Sequence, residues 1–169
     1  KYLESTNTKA IIKKKGLYIE GEKSFYDKKI KEIKFKKNVF FKDRIKDFNL
    51  ETEEAIYNHN TDILKTKGKT KINIEKKYEI LSENMIYDRN FQKVNSNKET
   101  TIKDIDGNIY NLENYFELDL KEEIITAKRT NIIDTDNNIY IFENAKINLI
   151  NKEILGKELK IEFVDDYFG

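Results

Sequence analysis

Cysteine, proline and tryptophan are absent from this 169-residue sequence, which has six glycines, one methionine and one histidine. Without cysteine there is no disulfide and no thiolate metal site, although the redox compartment stays open. No Pro/Ser-rich linker separates two parts, so residues 1–169 are expected to form one domain. No stretch approaches eighteen uncharged apolar residues, which excludes a helix crossing a bilayer. The chain begins at Lys1, and no charged segment leads into an apolar run. It is therefore expected to be a fragment of a longer protein whose targeting segment lies upstream or was removed.

What is abundant points to strands. Hydrophobic residues make up 38% and charged residues 37%, and ten Tyr with ten Phe among many Ile supply much of the apolar area. Aromatic and β-branched side chains favour a pleated, half-buried surface. The excess of Lys, Asn and Ile matches AT-rich codons, which discounts the lysine content as a functional signal. Charge is nonetheless uneven: residues 1–46 hold fifteen Lys/Arg against six Asp/Glu, and the remainder seventeen against twenty-five. A basic end could meet phosphate groups. Lysines that keep an exposed sheet edge soluble account for the same letters.

An internal repeat organises the chain. Thr101–Asn114 is echoed thirty residues later by Asn131–Asn144, with identity at Ile102/Ile132, Asp104/Asp134, Asp106/Asp136, Asn108/Asn138, Ile109/Ile139, Tyr110/Tyr140, Glu113/Glu143 and Asn114/Asn144. Eight identities among fourteen positions, in one ungapped register, exceed what compositional bias produces. The period extends backwards as an apolar residue followed seven positions later by another: Tyr26/Ile33, Tyr57/Leu64, Tyr87/Val94, Leu118/Ile125 and Ile147/Ile154. Two positions beyond each second member stand Phe35, Thr66, Ser96, Ala127 and Gly156, four of them small, as where sheets approach closely. A further strand signal follows at Phe41, Ile72, Ile102, Ile133 and, slipped by one position, Ile161. Five units of about thirty residues result.

Alternation decides between helix and strand. Phe116, Leu118 and Leu120, or Ala145, Ile147 and Leu149, repeat every second residue, which puts them on one face of a strand. Asp106-Gly107 and Asp136-Asn137-Asn138 supply turns, and Lys15-Gly16 and Lys67-Gly68 are read the same way. Leu50–Tyr57 is the one place where a short helix is arguable, and the period makes it strand. A two-stranded unit cannot bury its own face, so units must stack into a long sheet array folded over itself, with an interior stripe of Tyr, Ile, Leu and Val. The terminal units end in unpaired edges that carry charge or accept a partner's strand.

Chemistry-bearing motifs are scarce. His59 lies between Asn58 and Asn60 with no second His or Cys to complete a metal site. Asp104, Asp106, Asp134 and Asp136 alternate as calcium ligands do. The paired glycines of the calcium-binding nonapeptide are missing, however, so these residues are read as turn caps. Glu51, Glu53, Glu54, Glu122 and Glu123 sit in polar runs suited to solvated charge rather than acid–base work. No phosphate loop or nucleophile elbow is present, so no enzyme, cofactor or metal is expected. Tyr and Phe interleaved with Lys between Lys23 and Lys42 superficially suit single-stranded nucleic acid. A strand with lysines outside explains the same letters, and no nucleic-acid partner is expected.

The runs DGNIYNLEN and DNNIYIFENAKINLINKEILGKEL, with the aromatic, seven-residue gap, aliphatic and small-residue pattern, resemble the OstA-like domain of lipopolysaccharide-assembly proteins from about Ile19 to Gly169. The closing Ile161–Gly169 looks like the segment that leads toward the barrel in the outer-membrane member of that family, which points to its amino-terminal periplasmic part. The resemblance implies an all-β, repeat-built two-sheet β-taco or jelly roll. It further implies a periplasmic transport module at the inner face of the outer membrane of a Gram-negative cell, holding lipopolysaccharide acyl chains in an apolar groove. Implied partners are lipopolysaccharide, other OstA-like bridge proteins joined by edge-strand addition, and a carboxy-terminal β-barrel with its plug lipoprotein.

On this reading Tyr26, Ile33, Tyr57, Leu64, Tyr87, Val94, Leu118, Ile125, Ile147 and Ile154 line the groove. Should the register slip by one, Phe116 or Tyr140 would line it instead. A β-solenoid adhesin or surface scaffold with a closed, dry interior is the alternative.

Overall fold

The computed structural model describes residues 2–164, and the last five residues of the barrel-leading ending lie outside them. The chain is all-β: β1 (Tyr2–Ile12), β2 (Leu17–Asp27), β3 (Glu32–Asp43), β4 (Phe48–Asn58), β5 (Ile63–Ile74), β6 (Tyr78–Glu83), β7 (Ile86–Asp88), β8 (Lys93–Ser96), β9 (Thr100–Asp104), β10 (Ile109–Asp119), β11 (Ile124–Ile133), β12 (Ile139–Asn148), β13 (Glu153–Lys157) and β14 (Lys160–Glu162). The β4 assignment settles Leu50–Tyr57 as strand. One 3-10 turn, Lys13–Lys15, ends at Gly16 in the left-handed region.

All strands belong to one antiparallel meander. β6 with β7, and β8 with β9, each replace one long strand: β5 pairs β6 along 69–74 and β7 along 63–65, while β10 pairs β9 along 109–112 and β8 along 116–119. Two successive strands make each unit of the sequence repeat.

Most of the long strands are interrupted near the middle. Pairing shifts at Glu20/Lys23, Lys36/Val39, Thr52/Glu54 and Leu112/Tyr115, and the breaks between β6 and β7 and between β8 and β9 fall at the same level. A bulge bends and twists the strand that carries it. Aligned across the stack, the bulges fold the sheet along one crease into two layers, whose hairpin turns face each other across a mouth. The first layer ends in the turns that follow β2, β4, β7, β10 and β12, and the second in those that follow β1, β3, β5, β9 and β11. Ring contacts join them: Phe48 of the second stacks on Tyr87 of the first at 4.2 Å, and Phe41 meets Tyr87 edge-on. The all-β, repeat-built, two-layer architecture expected from the sequence is therefore present.

Two sequence expectations need correction. Gly68 is not in a hairpin turn: it lies inside β5 at the crease with φ +82°, beside Glu53. Ile133 does not continue the Phe41 row either. Phe41, Leu50, Ile72, Ile80, Ile102, Tyr110, Ile132, Tyr140 and Ile161 are the successive cross-strand partners, so Ile161 is in register and Ile133 is the residue one position off. The bulges change the inward parity between strand halves, which a fixed spacing cannot track.

Candidate functional site: the apolar interior and its mouth

The seven-residue pairs prove to be cross-strand partners on either side of one kind of hairpin turn. Each turn opens with Asp27, Asn58, Asp88, Asp119 or Asn148, whose carboxylate or amide oxygen accepts the amide two residues on. Each closes with a left-handed residue, Lys31, Asp62, Gln92, Glu123 or Lys152. An Asx side chain bonded to the amide two residues on mimics a backbone turn. The turn's four-residue length places the residues just inside its flanks opposite one another. Tyr26↔Ile33, Tyr57↔Leu64, Tyr87↔Val94, Leu118↔Ile125 and Ile147↔Ile154 follow.

Pairing between units joins these couples into one column across the first layer. Tyr57, Leu64, Tyr87, Val94, Leu118, Ile125 and Ile147 are at most 1% exposed, whereas Tyr26, Ile33 and Ile154 at the ends are half-buried. Phe116 and Tyr140 face the same interior, Phe116 fully buried and Tyr140 packed against the core. The interior extends as one contiguous apolar cluster from Leu17 to Leu149.

Toward the crease the side chains shorten. Thr66, Ser96, Ala127 and Gly156 occupy the next column, and a Cβ on Gly156 would lie 2.2 Å from the Phe142 ring. Phe35 breaks the small-residue rule because Gly21 of the neighbouring strand makes room for it. Hydroxyls fill the deepest part: Thr52 and Thr70 are 3.0 Å apart, Thr70 donates to Thr66, and Thr100 donates to Ser82. Phe116, Leu112 and Phe142 stand in the same rows beside these short side chains, and the mutual hydrogen bonds of the hydroxyls offset the burial of their polar atoms.

The mouth is bridged by charge. Arg89 in a first-layer turn donates Nε to Asp43 at 2.6 Å, a terminal nitrogen to Asp62 at 3.2 Å and another to the Lys15 carbonyl at 2.8 Å. Lys15 pairs with Asp62, to which Tyr57 also donates. Farther along, Lys77 and Tyr78 both donate to Glu123, and Lys152 reaches Asp104 and Asp106 at 2.9 Å each. Burial pushes the Asp62 carboxyl up, but hydrogen bonds from Tyr57, Lys15 and Arg89 outweigh it and hold the group below the ordinary range. Asp104 is held down in the same way by Asn108, Lys152 and Tyr110. Burial, with neighbouring carboxylates, raises Tyr57, Tyr87 and Tyr110 well above a free phenol.

These shifts fix the stability profile. Depressed carboxylates contribute stability that is complete above the unfolded value of about 3.9 and lost as pH falls through the lower folded one. Raised phenols contribute stability that is complete below about pH 10 and lost above it. Thermal melts followed by circular dichroism should therefore show a plateau between these limits. Tyrosinate absorbance should rise together with unfolding at the alkaline edge. Free titration of all ten tyrosines near pH 10 in folded protein would contradict the burial.

Asp104 and Asp134 act as turn caps, each accepting the backbone and side-chain amides of the Asn four residues on, and the hydroxyl of the Tyr six residues on. His59 is exposed in its turn, where its carbonyl accepts from Lys15. Glu54 and Glu123 depart from the solvated reading: Glu54 pairs with Lys34 and Lys36, and Glu123 with Lys77. A concavity of about 1080 Å³ lies beside the crease, lined by the charged Glu51, Glu53, Lys69 and Lys71 and also by buried Val39, Thr52 and Thr70.

The arrangement defines a class: an all-β repeat protein with an apolar interior lying across its strands. No family model matches the chain, and no curated protein matches it. Among solved structures it is similar to LptH of Pseudomonas aeruginosa, described as the LptA-homologous periplasmic component of the lipopolysaccharide transport device. That likeness has 7% identity, covers 98% of this chain and 96% of LptH, and has a TM-score of 0.32.

Proposed function

We propose that this chain is a periplasmic lipid-transport module that receives lipopolysaccharide acyl chains between its two layers and passes them toward the outer membrane. The observation that carries the reading is the unbroken apolar column from Tyr26 to Ile154, half-buried at both ends, between edge strands that no other strand covers among the described residues. β1 at one end exposes Tyr2, Leu3 and Ile11, and the other end exposes Leu155 and Ile161. Such edges suit continuation of the stack by an OstA-like neighbour. Each acyl methylene buried contributes about 0.8 kcal/mol, and a column of similar side chains offers no single point that fixes the lipid's position. The sequence resemblance supports a place at the inner face of the outer membrane, as the amino-terminal part of a protein with a carboxy-terminal barrel and plug lipoprotein.

A second reading, a scaffold with a dry interior, is favoured by the closure of the column at Val94 and Ile125, each 0% exposed. Photo-crosslinking residues at Leu118, Ile125, Ile33 and Ile154, with outward-facing Leu81 as control, separate the two. Lipopolysaccharide adducts at the column positions and none at Leu81 are expected. Folded variants that give no adduct at any column position would leave the scaffold standing.

A further inference from the structure

The bridges across the mouth share a spacing that neither the fold class nor lipid binding demands. Lys15–Asp62, Asp43–Arg89, Lys77–Glu123 and Asp104–Lys152 are separated by 47, 46, 46 and 48 residues, so each second-layer turn reaches the first-layer turn three strands further on. The four bridges are copies of one device, set by the offset between the layers.

They are not equally strong. At the amino-terminal end Arg89 is 14% exposed and joins two carboxylates that are 0% and 9% exposed, with Lys15 and Tyr57 completing the network. Toward the carboxy-terminal end the cations are the single ammonium groups of Lys77 and Lys152, 44% and 45% exposed. A guanidinium that donates to several buried acceptors holds a fixed geometry, whereas a half-solvated ammonium is screened and rotates freely. In the next second-layer turn the Asp134 carboxylate accepts from the amides of Asp136 and Asn138 and from the Tyr140 hydroxyl of β12.

We propose that the mouth is a graded gate, hinged at the crease, locked at the Arg89 cluster, and opening from the carboxy-terminal end where Lys77–Glu123 and Lys152–Asp104 release. This deepens the lipid reading by assigning the side and end at which an acyl chain enters the interior, and it rests on that reading for its purpose. The motion itself needs no lipid. The aliphatic turn tips Ile105 and Ile150 flank the Lys152 bridge from opposite layers, and Ile45 and Phe91 flank the Arg89 cluster in the same way; all four are exposed.

The chain has no native cysteine, so spin labels can be attached to Ile105→Cys/Ile150→Cys and, separately, to Ile45→Cys/Phe91→Cys in lipid-free protein. Raised salt, or Lys152→Gln combined with Lys77→Gln, is expected to lengthen and broaden the 105–150 separation and leave the 45–91 separation unchanged. A 105–150 separation that neither treatment moves overturns the gate, and so does an equal change in both pairs, which would report general loosening. The same lysine variants carrying a photo-crosslinker at Ile125 then test the purpose. A moved spin-label distance without a rise in lipopolysaccharide adducts retains the gate and removes its role in lipid entry, whereas the absence of any adduct, with or without the lysine changes, removes the lipid reading itself.

Discussion

Replacing Arg89 by Ala is expected to cost about 3–5 kcal/mol, the range for breaking a buried ion pair by removing one partner. Asp43 is 0% exposed, and its other oxygen caps its own turn by accepting the amides of Ile45 and Lys46. With the guanidinium gone, the Oδ2 oxygen keeps only the 3.4 Å bond from Tyr87. Asp62 loses less, because Lys15 and Tyr57 still hold it. For a chain of this size the loss corresponds to roughly 6–20 °C in Tm, and urea midpoints at unchanged slope would measure it. Arg89→Lys should recover only part, since one ammonium cannot span three acceptors. Pairing Arg89→Met with Asp43→Asn should be milder than Arg89→Ala alone, because the stranded charge is then absent. A loss below about 1 kcal/mol for Arg89→Ala would mean that Asp43 is hydrated and that the mouth is not locked there.

Tyr87→Ala should be comparably severe, about 3–5 kcal/mol, as for other buried aromatic truncations. The ring is 1% exposed, stacks on Phe48 and meets Phe41 edge-on, so its removal opens a cavity between the layers that neither neighbour can fill. Tyr87→Phe keeps the rings together and removes only the long hydroxyl bond to Asp43, for a loss of about 1 kcal/mol. The contrast between the two variants reports packing directly. Near-neutral behaviour of Tyr87→Ala would show that the interior at this level is hollow. Because Tyr87 and Arg89 share Asp43, the double variant should be non-additive.

Much of this was legible in the sequence, for a definable reason. The spacing between Tyr57 and Leu64, or between Leu118 and Ile125, survives through the chain because the Asx-opened turn fixes which residues meet across it. The same turns announce themselves by Asp27, Asn58, Asp88, Asp119 and Asn148, a signal as regular as the apolar pairs and overlooked beside them. The crease was not legible. Its residues are chosen for brevity or for a left-handed backbone, and it shifts inward parity, which is why Gly68 reads as a turn and Ile133 falls into the row of Phe41, Ile72 and Ile102. Phe35 and Gly21 exchange sizes between strands, so neither position alone carries the pattern. The bridging residues were invisible for another cause. Lys15, Lys77, Arg89 and Lys152 are four among thirty-two Lys/Arg, and only the three-strand offset between layers, a property of the folded object, selects their partners.

The meander carries one consequence of its own. Apart from the three interrupted strands, β6/β7, β8/β9 and β13/β14, each strand pairs with those immediately before and after it in the chain. The backbone pairings are therefore of low sequence separation, a topology that favours closure hairpin by hairpin, while the ring contacts and bridges between the layers tie each strand to one three strands away. Duplication or loss of a thirty-residue hairpin would leave distant backbone pairings intact, so evolution can adjust the reach of such a molecule the way a ladder is extended, rung by rung.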